Sequence, residues 1–232
     1  MEQLTFELAA PEPPTFSNFV AGRNAEALAK LRQVAQGEAR ETVLLLWGPP
    51  GSGRSHLLQA AIAAAASRRP SCYCPSASAD AMPGEPPGPS ALVAVDDVDR
   101  ADAAAQGRLF TLYNRLQDSG GQLLVAAAAP PGQLPLRDDL RSRLGWGLVY
   151  EVLPLTDGEK PQALIGYARE RGFRLGDDVI AYLLSHGRRD MPALVATLAA
   201  LDRYSLASKR PVTVPLLREW LQRTLAFREG PE

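Results

Sequence analysis

Lysine is nearly absent from this chain of 232 residues, in which Lys30, Lys160 and Lys209 stand against a much larger number of arginines. Positive and negative side chains almost cancel, with a formal net charge of −1. The chain is therefore not a protein that coats nucleic acid by charge alone. No apolar stretch reaches the ~18 residues of a membrane span, and the sequence does not open on a basic and then apolar signal. We expect a cytoplasmic protein with no membrane partner.

Cysteine is also scarce, with Cys72 and Cys74 as the whole complement. In a strand, two residues that are separated by one position point to the same face. A disulfide between them would be strained, and two thiols alone make a poor zinc site. The pattern favours a pair of half-buried, reduced thiols.

Hydrophobic residues make up 46% of the chain, which is enough to bury a substantial core. Apolar runs alternate with segments of helical periodicity over the first two thirds of the sequence. The predicted strands are 42–47, 71–74, 91–95, 122–129 and 148–152, and the predicted helices are 24–36, 55–67, 107–119 and 138–144. This alternation predicts an α/β fold with a parallel sheet that is covered on both faces.

The pattern changes after Pro154, because only helical segments follow, near 157–171, 176–186, 190–207 and 213–226. We therefore predict a short tail over 1–12, an α/β domain over 13–155 and a small all-helical domain over 156–232.

A glycine-rich segment, GPPGSGRS at residues 48–55, lies between a predicted strand and a predicted helix. It fits the phosphate-binding loop except that Arg54 stands where such loops carry lysine. Backbone N–H groups of such a loop and the helix N-terminus bind phosphate, and Ser55 would hold Mg²⁺. The candidate nucleotide-binding residues are Gly48, Pro50, Gly51, Ser52, Gly53, Arg54, Ser55 and His56. The alternative is a Gly/Pro turn before an ordinary helix.

Two further segments carry charged residues in informative places. LVAVDD, residues 92–97, ends an apolar strand on Asp96, a candidate Mg²⁺ ligand through water, and on Asp97, a candidate neighbour of the attacking water. RSRLGW, residues 141–146, contains Arg143, which could enter a neighbouring subunit's site and stabilise transition-state charge. The alternatives are a solvated acidic turn and an ordinary basic helix C-terminus.

Together these motifs and the helical C-terminal segment resemble the AAA+ ATPases, and within them the DnaA-like family of the replication initiator DnaA and its shorter homologue Hda. Three sequence segments support this resemblance, which spans roughly residues 13–225: GRSHLLQA, LFTLYNRLQDSG and SRLGWG. It implies an AAA+ base domain with a helical lid, and bound ADP or ATP with Mg²⁺. It also implies that Arg143 is an arginine finger acting in trans on DnaA-bound ATP, and that Arg189 is a lid arginine that senses nucleotide.

The N-terminal segment QLTFEL, residues 3–8, resembles the peptide by which Hda-like proteins dock on the sliding clamp of DNA polymerase III. The resemblance implies that Gln3 hydrogen-bonds at the pocket rim, while Leu4, Phe6 and Leu8 supply apolar anchors. DNA would then be an indirect partner, reached through the clamp. The alternative is a frayed amphipathic terminus.

Arg54 in place of the lysine is a feature that the resemblance to Hda also implies, and it suits a protein that holds nucleotide, ADP, rather than one that hydrolyses it. Two departures from the DnaA-like pattern further indicate weak or no intrinsic ATP hydrolysis. Ala127 and Ala128 stand near the place of a polar residue that senses the γ-phosphate, and the segment between the second and third strands is shortened into a proline-rich loop over 75–89. We therefore predict an Hda-like negative regulator of replication initiation. The alternatives are a helicase-loader-type AAA+ ATPase acting on DNA and a clamp-binding adaptor with a vestigial nucleotide site. The sequence leaves homo-oligomerisation and the choice between ADP and ATP open.

Overall fold

The computed structural model describes residues 13–187 and 190–228. Within them, strands and helices alternate and then give way to helices alone. The strands are β1 Val43–Trp47, β2 Ser71–Cys74, β3 Leu92–Val95, β4 Gln122–Ala127 and β5 Leu148–Glu151. The helices are α1 Ala25–Gln36, α2 Arg54–Ala65, α3 Ala103–Asp118, α4 Asp138–Trp146, α5 Lys160–Glu170, α6 Asp177–His186, α7 Met191–Ser208 and α8 Val214–Arg228. The predicted fold class, an α/β domain followed by helices, is confirmed.

The five strands form one parallel sheet in the order β2-β3-β4-β1-β5. Trp47 of β1 pairs with Ala127 of β4, and Val95 of β3 pairs with Val125 of β4. Since all strands run the same way, their carboxyl ends meet at one edge. The glycine-rich loop after β1 and the acidic pair after β3 therefore lie at the same edge of the sheet, on either side of the end of β4.

Side chains that alternate along the strands divide between two cores, one on each face of the sheet. The face covered by α3 and α4 contains Leu45, Val93 and Val125 from the central strands. The opposite face, covered by α1 and α2, contains Leu46 and Leu124. Near-continuous apolar strands thus bury both sets of side chains, as a parallel sheet requires.

Two element boundaries differ from the sequence prediction for local reasons. Helix α3 begins four residues earlier, because the Asp102 side chain accepts a hydrogen bond from Ala105 N at 2.8 Å and caps the helix. Strand β4 ends at Ala127, because Ala128 N donates to Asp99 Oδ1 at 3.0 Å instead of continuing the ladder.

The described chain divides into two compact units, residues 14–155 and the residues from 156 onward. The second unit has its own apolar core, to which Leu164, Leu183, Leu198 and Leu217 contribute. Across the described residues, no helix combines the length and the apolar character that crossing a membrane requires.

Candidate nucleotide site

The loop between β1 and α2 is compact because two of its glycines lie against other groups. A Cβ on Gly48 would lie 2.3 Å from the carbonyl oxygen of Val152. Gly53 has a φ of +100°, and a Cβ there would lie 2.8 Å from the ring of Phe19. Only glycine meets both demands without strain, so the loop geometry explains these two residues.

Two polar side chains of this loop are buried without a hydrogen-bond partner among the described residues. Ser52 is 6% exposed and Arg54 is 9% exposed. Ser52 Oγ and Arg54 Nη1 both lack a partner. Buried polar groups in proteins are nearly always paired, so two orphans in one phosphate-type loop indicate a site for an anionic ligand.

Asp96 lies at the end of β3 and is held by neighbours on both carboxylate oxygens. Its Oδ2 accepts a hydrogen bond from the Tyr73 hydroxyl at 2.9 Å, and its Oδ1 accepts one from Asp97 N at 3.0 Å. Gln59 of α2 in turn donates to the Tyr73 hydroxyl at 3.3 Å. Burial and the nearby Asp96 charge raise the pKa of Tyr73, so the Tyr73 hydroxyl stays protonated and donates a hydrogen bond to the carboxylate.

His56 faces the N-terminal segment of the described chain. Its Nε2 lies 2.9 Å from the carbonyl oxygen of Thr15, and its ring centroid lies 5.4 Å from that of Phe19. A carbonyl can only accept, so Nε2 carries the proton. Burial lowers the pKa of His56, and the hydrogen bond to Thr15 opposes that shift in part. His56 thus holds residues 15–19 against the loop through its contacts with Thr15 and Phe19.

The metal-ligand candidates differ in their exposure. Ser55 is exposed in the first turn of α2, and Asp96 is buried. Asp97 has a left-handed backbone and pairs with Arg100 at 3.5 Å. No group of three or more potential metal-ligating side chains occurs in the part of the chain that the structure describes. The hydroxyl and the carboxylate suit a Mg²⁺ ion that takes most of its ligands from phosphates and water.

The end of β4 presents no polar side chain to the site edge. Ala127 is fully buried, and Ala128 is exposed with its backbone N–H bonded to Asp99. No hydroxyl, amide or charge is therefore available at these two positions to contact a terminal phosphate.

Arg143 lies on α4 and rests on two aromatic rings of α3. Its Cζ is 4.9 Å from the Phe110 ring centroid and 5.3 Å from that of Tyr113. It forms no ion pair within the described residues, whereas Arg137, also near Phe110, pairs with Asp139 at 2.6 Å. The neighbouring Trp146 is 79% exposed. An unpaired guanidinium beside an exposed indole is typical of a partner-binding surface.

Five candidate residues lie outside the described residues, namely Gln3, Leu4, Phe6, Leu8 and Arg189.

Three side chains that contact candidate site residues were not predicted from the sequence, namely Tyr73 at Asp96, Phe110 at Arg143 and Phe19 at Gly53. Tyr73 could have been suspected, because strand alternation places it opposite Cys72 and Cys74 and beside the next strand's acidic end. Phe110 lies three positions before Tyr113 and thus on the same helix face. Nothing in the sequence connects Phe19 with Gly53, since that contact depends on how the N-terminal segment crosses the loop.

The parallel sheet, the glycine-rich loop with its buried orphan side chains and the following helical unit define the AAA+ class of protein. The family model described as the Hda lid domain matches residues 157–221, and that of the bacterial DnaA ATPase domain matches residues 90–151. Both compact units of the chain therefore contain a segment that resembles Hda/DnaA-like AAA+ proteins.

Solved structures agree with this fold. Domain III of the Thermotoga maritima replication initiation protein DnaA superposes with a TM-score of 0.79 at 21% identity, over 91% of this chain and 97% of that chain. AMPPCP-bound DnaA from Aquifex aeolicus superposes with a TM-score of 0.67 at 22% identity, over 82% of this chain and 65% of that chain. A Thermotoga maritima RuvB mutant superposes with a TM-score of 0.67 at 16% identity, over 95% of this chain and 76% of that chain. The chain thus spans about two thirds of the Aquifex DnaA chain and nearly all of the isolated domain III.

Proposed function

We propose that this protein is an Hda-like negative regulator of replication initiation. In this proposal it holds an adenine nucleotide, docks on the DNA-loaded sliding clamp and stimulates hydrolysis of the ATP bound to DnaA. The observation that carries the proposal is Arg143, an arginine that rests on Phe110 and Tyr113 without a carboxylate partner among the described residues. An Hda-type lid and a DnaA-type ATPase segment in one chain give that arginine its family context.

Nucleotide binding is supported by the loop itself. The Aquifex aeolicus relative is described as bound to AMPPCP, an adenine nucleotide analogue. In this chain, Ser52 Oγ and Arg54 Nη1 are buried without partners, and phosphate oxygens would satisfy both. Arg54 would bind phosphate through its planar guanidinium, while Ser55 and Asp96 would hold a nucleotide-borne Mg²⁺.

Two features of the chain favour nucleotide binding without ATP hydrolysis. A guanidinium is bulkier than the ammonium that such loops place at the β- and γ-phosphates. Ala127 and Ala128 offer no side-chain contact for a terminal phosphate. We therefore expect weak or no intrinsic hydrolysis, with ADP as the resident nucleotide.

The trans role needs a cation that is free to be inserted into a partner's site. Arg143 meets this need, because an aromatic surface supports its guanidinium without neutralising the charge. DnaA would contribute the nucleotide, the attacking water and most of the catalytic groups. This chain would contribute one positive charge and its position, which together are worth ~10³–10⁵ in rate in comparable systems.

Residues 3–8 would tether the protein to the clamp through Gln3, Leu4, Phe6 and Leu8, as an extended peptide in a preformed groove. This part of the proposal rests on the sequence alone. The tether would raise the local concentration of Arg143 near DnaA at the replication site.

The test is single-turnover hydrolysis of ATP held by DnaA, with DNA-loaded clamp and this protein added. We expect stimulation by the wild type, near-complete loss with Arg143→Ala and loss with the Leu4→Ala/Phe6→Ala double variant. Arg137→Ala is the matched control, because Arg137 also lies near Phe110 but is paired with Asp139. It should stimulate nearly as well as the wild type.

Stimulation that survives Arg143→Ala would overturn the trans-finger role and favour the adaptor alternative. ATP turnover by this protein alone, increased by DNA and lowered by salt, would instead favour the helicase-loader alternative.

A further inference from the structure

The outer strand β2 carries the chain's two cysteines side by side on one face of the sheet. Cys72 Sγ and Cys74 Sγ are 3.7 Å apart. Cys72 is partly exposed, and Cys74 is buried in the core beneath α3. Tyr73, between them, points to the opposite face and donates its hydroxyl proton to Asp96.

Strand geometry permits a bond between these sulfurs at the cost of local distortion. Two rises of a β-strand separate the Cα atoms of alternate residues by ~6.6 Å, near the upper end of the range in disulfides. Closing the bond also shortens the distance between the sulfurs from 3.7 Å to about 2.05 Å, which draws the two ends of β2 together around Tyr73. β2 pairs only with β3 in the described sheet, so it can shift more readily than an inner strand. A bond under such strain is readily reduced, which is typical of reversible rather than structural disulfides.

We propose that Cys72 and Cys74 form a reversible oxidative modification site that reacts with hydroperoxides and, on closing, displaces Tyr73 from Asp96. The Cys72 thiolate attacks one oxygen of hydrogen peroxide and breaks the O–O bond. Cys72 becomes a sulfenic acid, and the departing hydroxide takes up a proton to give water. Cys74 then gives up its thiol proton and attacks the Cys72 sulfur, and the sulfenic oxygen leaves as a second water. Two thiols lose two electrons in total, and one peroxide is reduced to two waters.

The environment of each thiol fits its part in this reaction. The hydrogen bond with Cys74 lowers the pKa of Cys72 to about 7, which favours a thiolate at the more accessible position. Cys74 is buried, and its Sγ lies 3.7 Å from that of Cys72, so a Cys72 sulfenic acid forms next to the thiol that resolves it. The accessible sulfur is thus the attacking one, and the buried sulfur is within reach to resolve it.

The consequence for Asp96 follows from the position of Tyr73 at the centre of the contraction. The Tyr73 hydroxyl is held by Gln59 at 3.3 Å and donates to Asp96 at 2.9 Å, so a backbone shift at residue 73 stretches both contacts. Any effect on nucleotide binding rests on the function proposed above, whereas the oxidation of the two thiols is independent of that function.

Thiol titration of the full chain tests the chemistry, because the chain has no other cysteine. With equimolar hydrogen peroxide, we expect both thiols to disappear from monomeric protein and to return with dithiothreitol. Cys74→Ser should stop at a Cys72 sulfenic acid that reacts with dimedone, and Cys74→Ala is a second variant with a different side chain. Thiol loss that dithiothreitol does not reverse, cross-linked dimers on a non-reducing gel, or a reduced thiol pair after treatment would each overturn the proposal.

Hydrogen exchange measured by mass spectrometry tests the coupling. Oxidised wild type should show faster amide exchange in peptides covering β2 and residues 92–97 than reduced wild type. The Cys72→Ser/Cys74→Ser double variant should show no such change with peroxide. Equal exchange in the oxidised and reduced wild type would overturn the coupling. Oxidised wild type should also bind ADP as weakly as reduced Tyr73→Phe, and a failure of the reduced wild type to bind ADP would count against the proposed function alone.

Discussion

The guanidinium carbon of Arg143 lies 4.9 Å from the centroid of the Phe110 ring, so that helix α3 supports a cation carried by helix α4. Arg143 also contacts the Tyr113 ring, at 5.3 Å, and has no acidic partner in the described chain. The aromatic surface fixes the position of the charge while leaving the charge available.

Removing the ring should therefore weaken the action of Arg143 without removing the arginine. A cation–π contact is worth about 0.5–2 kcal/mol, so we expect Phe110→Ala to lower stimulation of DnaA-bound ATP hydrolysis by roughly 2- to 30-fold. Phe110→Tyr keeps an aromatic face and should retain most of the stimulation. The measurement is the single-turnover assay, with urea unfolding to verify that each variant is folded. Equal activity of the Ala and wild-type proteins would show that the ring does not position Arg143.

Arg54 should contribute to nucleotide affinity out of proportion to its contribution to stability. Charge-assisted hydrogen bonds are worth about 1.5–3 kcal/mol, so Arg54→Met should weaken ADP binding by roughly 10- to 150-fold in calorimetric titration. Without nucleotide, the variant should be at least as stable as wild type, because it removes a buried guanidinium nitrogen that has no partner. Arg68→Met, at an exposed position beyond the other end of α2, is the control and should leave ADP affinity unchanged.

His56 should make the protein less stable as the pH falls below its ordinary pKa of 6.5. Burial lowers the pKa of His56 in the folded state, so the unfolded chain binds the proton first and gains stability from it. The free energy of unfolding is then fully present above pH 6.5 and declines as the pH falls towards the lowered pKa.

Urea unfolding across this pH window measures the effect. His56→Gln removes the titrating group and should flatten the decline. A wild-type pH dependence that persists unchanged in His56→Gln would contradict the assignment.

Two glycines near the end of α4 should respond oppositely to alanine. A Cβ on Gly147 would lie 2.2 Å from the carbonyl oxygen of Val43, so Gly147→Ala must displace β1 or β5 and should cost about 1–3 kcal/mol. A Cβ on Gly145 would lie no closer than 3.6 Å to Pro131, an ordinary contact. Since alanine favours a helix, Gly145→Ala should be neutral or stabilising by up to about 1 kcal/mol. Thermal unfolding of the two variants compares them directly, and equal destabilisation would contradict this account.

Two element boundaries predicted from the sequence were wrong, and at each of them a single side chain forms a hydrogen bond that sets the observed boundary. Helix α3 begins at Ala103 because Asp102 caps it, and the alanines that follow Asp102 carry no hydrophobic periodicity that could have revealed those turns. Strand β4 ends early because Asp99, from another segment, takes the N–H of Ala128. Both are single hydrogen bonds that a periodicity argument does not detect.

The sequence by itself determined the succession of strands and helices along the chain, the parallel sheet and the place of the glycine-rich loop at residues 48–55 between a strand and a helix. These follow from the spacing of apolar residues and from glycines at fixed positions, which are properties of neighbouring residues. Only the tertiary structure decided that Arg143 rests on Phe110, that Tyr73 donates to Asp96 and that Phe19 covers Gly53. Each of these contacts joins segments that are distant in sequence. Strand order, register and packing bring them together, and no local pattern encodes those relationships.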